Sequence, residues 1–177
     1  MKTYNIAITG ILAAVICLLA PLSIPAGAVP LSLATFAVYV ASCAAGPKHA
    51  TSAVAIYILL GAAGLPVFSA FRGGFHVLAG VTGGYIIGYI PCAAVISLLC
   101  EKHGNKKAVF PLSMLLGTLI CYLFGAAWYM IQAKCSVAMA FLTCIAPFIL
   151  GDIIKIAAAS IISISLRPRL SKILNKY

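Results

Sequence analysis

Residues 147–166 read PFILGDIIKIAAASIISISL, and this stretch decides what kind of protein the chain is. About 20 apolar residues in a helix cross the hydrocarbon core of a bilayer, and proline suits the first helical position. Only Asp152 and Lys155 are ionisable in the run. A charge at the centre of a membrane helix costs about 2.5–3.5 kcal/mol on insertion scales, so it signals function by default. At i and i+3 the two share one face, with Cβ atoms about 5–6 Å apart. Counted from Pro147, Asp152 lies about 7–8 Å below the helix end, within reach of a pocket opening there. The plainer alternative is a packed ion pair that only neutralises itself. Structure alone does not require one, because an apolar pair of similar volume is often as stable.

Five further apolar runs precede this one, at 4–23, 31–46, 51–64, 83–100 and 108–131. The 177 residues are 64% hydrophobic and 8% charged, with a mean hydropathy of +1.16. A soluble domain has about 45–50% apolar and roughly 25% charged residues, so a water-facing globule is excluded. Disorder is excluded as well, since it needs low hydrophobicity and high net charge. The reading is an all-α integral membrane bundle of six transmembrane helices forming a single domain over residues 1–177. Gly46-Pro47-Lys48-His49 reads as a tight turn and 65–82 as a glycine-rich connection, while 137–146 reads as a short interfacial helix.

Twelve basic residues stand against two acidic ones, a formal net charge of +10. With the N- and C-termini cytoplasmic, Lys2, Lys48, Lys102, Lys106, Lys107, Arg167, Arg169, Lys172 and Lys176 fall inside. Arg72 and Lys134 fall outside and Lys155 within a span, the asymmetry of the positive-inside rule. Ala26-Gly27-Ala28 faintly resembles a signal-peptidase site, but removing the first run would spoil this sorting, so a retained span ranks higher. The basic C-terminal stretch 167–172 reads as a stop-transfer signal, with anionic headgroups as a second use.

Glu101 and Asp152 are the only acids, which excludes carboxylate clusters around metal ions. The seven cysteines form no C-x-x-C pair, and most lie in apolar runs as small hydrophobes. No phosphate-binding loop, H-E-x-x-H or G-x-S-x-G occurs, and His49, His76 and His103 are scattered. No catalytic or metal-binding residues are therefore assigned, and the chain reads as a non-enzyme.

The candidate ligand contacts lie toward the outer end. Glycines in 64–84 let backbone pass close to a ligand. Tyr85 and Tyr89 share a face at i and i+4, and Trp128 lies near the outer end of the fifth span. Aromatics at such depth also serve as interfacial anchors. Arg72 is either a loop charge or a bidentate partner for a carboxylate. Gly10 and Ala14, with Ala7, form a small-residue face on the first helix, suited to contacts within the bundle or to docking another membrane subunit.

Four stretches carry a resemblance to a known family. They are Val29-Pro30-Leu31-Ser32-Leu33-Ala34-Thr35-Phe36-Ala37-Val38, Tyr57-Ile58-Leu59-Leu60-Gly61-Ala62-Ala63-Gly64-Leu65-Pro66-Val67-Phe68, Gly80-Val81-Thr82-Gly83-Gly84-Tyr85-Ile86-Ile87-Gly88-Tyr89 and Pro147-Phe148-Ile149-Leu150-Gly151-Asp152-Ile153-Ile154-Lys155. In this order they resemble the biotin-specific substrate-binding (S) component of the energy-coupling-factor (ECF) vitamin transporters, the BioY family. The likeness runs over about residues 5–165. Two departures stand out: Ala34 replaces the usual Gln before Thr-Phe, and Val81 replaces a Pro.

The resemblance implies biotin bound near the outer face and carried across the cytoplasmic membrane. It also implies a transmembrane coupling subunit and two cytoplasmic ATPases as partners, and an S component that topples in the membrane during turnover. ATP is then used only by the partners, and the chain itself carries no cofactor. Asp152, Lys155, Arg72, Tyr85, Tyr89, Trp128, Thr35, Phe36, Gly83 and Gly84 are the implied substrate contacts, and Ala7, Gly10 and Ala14 the docking face. Biotin's ureido N–H groups suit Asp152, and its carboxylate suits Arg72 or Lys155. The competing reading is an ion-coupled carrier of another small carboxylated vitamin, with Asp152 as the coupling site.

Overall fold

The structure, a computed structural model, describes residues 2–25, 29–104 and 106–174. Ala26-Gly27-Ala28 lies outside the described residues, as do the side chains of Arg169, Lys172 and Lys176. Among the described residues eight α-helices follow in order: α1 Lys2–Leu19, α2 Ala34–Ala44, α3 Pro47–Ala62, α4 Phe75–Ala79, α5 Gly83–His103, α6 Val109–Ala133, α7 Val137–Cys144 and α8 Ala146–Leu174. The protein is a helical membrane bundle. Three of these helices, α5, α6 and α8, are both long and apolar enough to cross a bilayer by themselves, and α1 and α2 are shorter apolar helices.

The second and third apolar runs differ from their sequence reading. Helix α2 has 11 residues rather than the 31–46 expected. At 1.5 Å per residue it spans about 16 Å, roughly half of a bilayer core. The residues before it form an antiparallel ribbon, β1 Ser23–Ile24 with β2 Leu31–Ser32, pairing Ser23 with Ser32 and Ile24 with Leu31. Gly46-Pro47-Lys48-His49 is not a free-standing turn. Pro47 occupies the first turn of α3, where its missing N–H costs nothing, so the helix begins at once.

The seam between α5 and α6 is the most extensive among the described elements, and glycines on both helices allow close approach along it. A Cβ at Gly84 would run into Trp128, one at Gly117 into Ile96, and one at Gly125 into the Tyr85 ring. With little hydrophobic drive between helices in lipid, such close approach is how membrane helices hold each other. The main core gathers Ile16, Val38, Tyr39, Val54, Tyr57, Ile96 and Met114 between α1, α2, α3, α5 and α6. A second cluster of Val29, Tyr85, Cys144 and Phe148 closes the end of the bundle that holds the ribbon, α4 and α7.

At the opposite end, Arg167 Nη1 donates to the Cys43 carbonyl oxygen at 3.0 Å. A cation there answers the partial negative charge at the C-terminal end of α2. Glu101 stands at this end too, its Oε1 3.8 Å from where a Gly46 Cβ would be.

Candidate functional site

Helix α8 starts at Ala146, so Asp152 enters the bundle less than two turns from the helix end. Asp152 and Lys155 both face inward and are 4% and 9% exposed, while Ile153 and Ile154 face outward. Lys155 Nζ lies 3.0 Å from Asp152 Oδ1. Tyr122 of α6 donates its hydroxyl to Asp152 Oδ2 at 2.6 Å, and Lys155 Nζ also donates to Thr35 Oγ1 of α2 at 3.2 Å. Four side chains from three helices thus form one chain, Tyr122–Asp152–Lys155–Thr35. Both charges are satisfied, as buried charges must be.

This chain lines a cleft of about 490 Å³ counting its mouth. Its walls combine aromatic and aliphatic surface, Tyr85, Tyr89, Ile86 and Phe148, with the hydroxyls of Ser32, Ser69, Thr82 and Thr118. An apolar cleft with a few convergent polar groups is the usual form of a small-molecule site. Among the described residues no group of three His, Cys, Asp or Glu side chains is placed to hold a metal ion.

The walls are held from outside. Tyr85 donates its hydroxyl to the Cys144 carbonyl at the end of α7 and stacks on Phe148, ring centroids 6.2 Å apart and planes at 29°. Tyr39, fully buried, shares a hydrogen bond of 2.6 Å with Thr118. Ser69 reaches the cleft from a tight loop. There Phe68 N donates to the Arg72 carbonyl at 2.9 Å and Ala70 N to the Pro21 carbonyl at 3.0 Å. Ala70 and Phe71 in this loop both take left-handed backbone, with φ of 59° and 55°.

Of the ten residues named as substrate contacts from the sequence, Asp152, Lys155, Thr35, Tyr85 and Tyr89 come together at the cleft. The other five stand elsewhere. Trp128 turns away, donating Nε1 to the Gly80 carbonyl at 2.9 Å, and lines a separate groove. Phe36 packs on the main core. Gly83 and Gly84 are packing glycines: a Cβ would strike the Leu78 carbonyl at the first and the Trp128 side chain at the second. Arg72 is exposed and donates Nε to the Ser69 carbonyl at 3.2 Å, one residue contact away from the cleft wall. Ala7, Gly10 and Ala14 are exposed on α1.

Sequence reasoning missed Tyr122 and Thr118. Their signal was present, two hydroxyls at i and i+4 inside the apolar run 108–131, on the same side as Gly125. Trp128, an aromatic at the helix end, is the more conspicuous feature of this run but stands outside the cleft. Ala34, where the resembling family carries Gln, is fully buried under the ribbon, its amide donating to Ser32 Oγ at 3.1 Å.

Comparison with known proteins follows the same lines. The family model described as the BioY family matches residues 1–172. A biotin transporter of Thermotoga maritima is 40% identical over 161 residues, covering 89% of this chain and 92% of that protein. A probable biotin transporter of Pyrococcus horikoshii is 37% identical, covering 92% and 96%. A crystal structure of the S-component for biotin from an ECF-type ABC transporter superposes with a TM-score of 0.87 at 27% identity, covering 94% of this chain and 92% of that one.

Proposed function

The chain belongs to the BioY family, and from that premise we propose that its cleft takes up biotin as the substrate-binding S component of an ECF-type transporter. Biotin uptake is what its relatives are named for, and they are transporter components rather than enzymes. The single observation that carries the site is the buried chain Tyr122–Asp152–Lys155–Thr35 opening onto an otherwise apolar cleft.

Biotin offers two ureido N–H donors, a fused apolar ring pair, an aliphatic arm and a carboxylate. A carboxylate has about four lone-pair sites, and the protein uses one on each Asp152 oxygen. A ureido N–H therefore adds to Asp152 as a charge-assisted hydrogen bond without displacing Tyr122 or Lys155. The rings pack against Tyr85 and Tyr89. Lys155 orients Asp152, and Arg72, at the exposed rim beside Ser69, takes the ligand's carboxylate.

In the same reading residues 1–177 are one membrane domain with six spans, α1, α2 with its ribbon, α3, α5, α6 and α8. Both termini lie in the cytoplasm, α4 and α7 cover the outer end, and the cytoplasmic membrane is the location. The positive-inside count supports this orientation. The exposed Ala7, Gly10 and Ala14, flanked by exposed Ile6, Ile11 and Leu18, form the face on which a coupling subunit docks. That subunit and two cytoplasmic ATPases supply the energy, and this chain carries no cofactor of its own.

The test is retention of labelled biotin by the purified chain in detergent and by membranes containing it. One biotin per chain, lost in Asp152→Asn, is the expected result. A purified, folded chain that retains no biotin overturns the reading.

A further inference from the structure

A second hollow runs along the α5–α6 seam, of about 690 Å³ counting its open side. Gly84 and Ile87 of α5 and Leu123, Ala127, Trp128 and Ile131 of α6 line it, and it shares no lining residue with the cleft. Both helices are long and apolar enough to cross a membrane, so the groove opens toward lipid. The one polar side-chain atom among its lining residues, Trp128 Nε1, is already engaged by the Gly80 carbonyl.

The dimensions select the occupant. From Leu123 to Ile131 the groove is about 12 Å long at 1.5 Å per residue. Even its whole volume, 690 Å³, spread over that length leaves a cross-section of about 60 Å². A hydrocarbon chain seats wholly within it, whereas a helix, about 10–12 Å across with its side chains, seats only in part. Charge selects the headgroup. Lys134, exposed, follows Ile131 by three residues at the end of α6. The chain holds only two acids to neutralise a cation. Asp152 is bonded to Lys155, and Glu101 stands at the other end of the bundle.

We propose that this groove is a site for an anionic phospholipid, with one acyl chain along the α5–α6 seam and the phosphate on Lys134. The site is tied to the cleft wall. Gly84 of the groove precedes Tyr85 of the cleft, and Trp128 holds Gly80, two residues before cleft-lining Thr82. Gln132, beside Lys134, donates its amide to the Ala79 carbonyl and fastens α4 to the rim.

Trp128 is the only tryptophan in the chain, so it reports on the groove directly. The intact protein is placed in vesicles whose lipids carry bromine on the acyl chains, either phosphatidylglycerol or phosphatidylcholine, diluted into unbrominated phosphatidylcholine. Brominated phosphatidylglycerol is expected to quench Trp128 at a mole fraction at least threefold lower than brominated phosphatidylcholine. Lys134→Gln is expected to abolish that preference and Lys134→Arg to keep it, and Ala127→Leu to reduce quenching by both lipids. Equal quenching by the two lipids in the unsubstituted protein, tracking bulk mole fraction, marks ordinary surrounding lipid and overturns the proposal. Absence of quenching by either lipid overturns it too, and means that something other than lipid, such as a second copy, covers the seam. None of these readouts depends on biotin binding.

Discussion

Removing the Asp152–Lys155 pair one charge at a time and then both together separates its contribution to stability from its contribution to binding. Asp152 and Lys155 are 3.0 Å apart and almost fully enclosed, and Tyr122 and Thr35 complete their shells. Asp152→Asn leaves Lys155 an unpaired buried cation, and Lys155→Met leaves Asp152 an unpaired buried anion. Breaking a buried pair from one side costs about 3–5 kcal/mol, whereas replacing both members with apolar or neutral groups is often close to neutral. The single variants should therefore unfold well below the parent in a detergent thermal melt, and Asp152→Asn with Lys155→Met should recover most of that loss. Binding should not follow. Losing a charge-assisted hydrogen bond to the ligand costs about 1.5–3 kcal/mol, or roughly 10- to 150-fold in Kd. Equilibrium dialysis against labelled biotin at a temperature where all variants are folded measures this. A double variant that binds as the parent does removes Asp152 from the site. Single variants that melt with the parent refute the claim that each buried charge depends on the other for its compensation.

Other outcomes follow from particular contacts. Gly125→Ala puts a methyl group into the Tyr85 ring; overpacking of this kind costs about 1–3 kcal/mol, and the displaced cleft wall should weaken biotin retention as well as lower the melting temperature. A Cβ added at exposed Gly10 meets nothing within 4 Å, so Gly10→Leu should leave stability and biotin affinity unchanged while co-purification with a coupling subunit is lost; retained co-purification places the docking face elsewhere. Tyr85→Phe deletes the hydroxyl bond to the Cys144 carbonyl and leaves a buried acceptor without its donor, for a loss of about 1–3 kcal/mol in a denaturation assay. In cells, with the seven native cysteines replaced by serine or alanine, a membrane-impermeant maleimide should label Lys134→Cys from outside and leave Lys106→Cys unlabelled; the reverse pattern inverts the topology.

The cleft and the groove use the same seam in opposite ways. The glycines that bring α5 and α6 together put Tyr85 against Gly125 on the cleft side and Trp128 against Gly84 on the groove side. Each aromatic is thereby held in one orientation, and the backbone between Gly80 and Tyr85 is gripped from both sides. That rigidity matters for binding, because a preformed wall has less ordering entropy to lose when the ligand arrives.

Composition and local spacing alone determined that this is a membrane bundle and that Asp152 and Lys155 share a helical face. Lipid tolerates no surplus of charge, and an i, i+3 pair meets wherever the helix lies. The start of α8 and the short helix α7 were legible for the same reason, since proline and polar breaks act on the backbone nearby. Tertiary structure alone decided the rest. Nothing local couples Tyr122 to Asp152, 30 residues away, or Thr35 to Lys155, 120 residues away. Nor could Trp128 be assigned to one side of α6 from its position in the chain. A soluble helix shows its buried side as an apolar stripe, but lipid tails are as apolar as a protein core, so α6 is hydrophobic all round. The inward face of such a helix is chosen by which small residues let a neighbour approach and which hydroxyls find partners, and both depend on the assembled bundle.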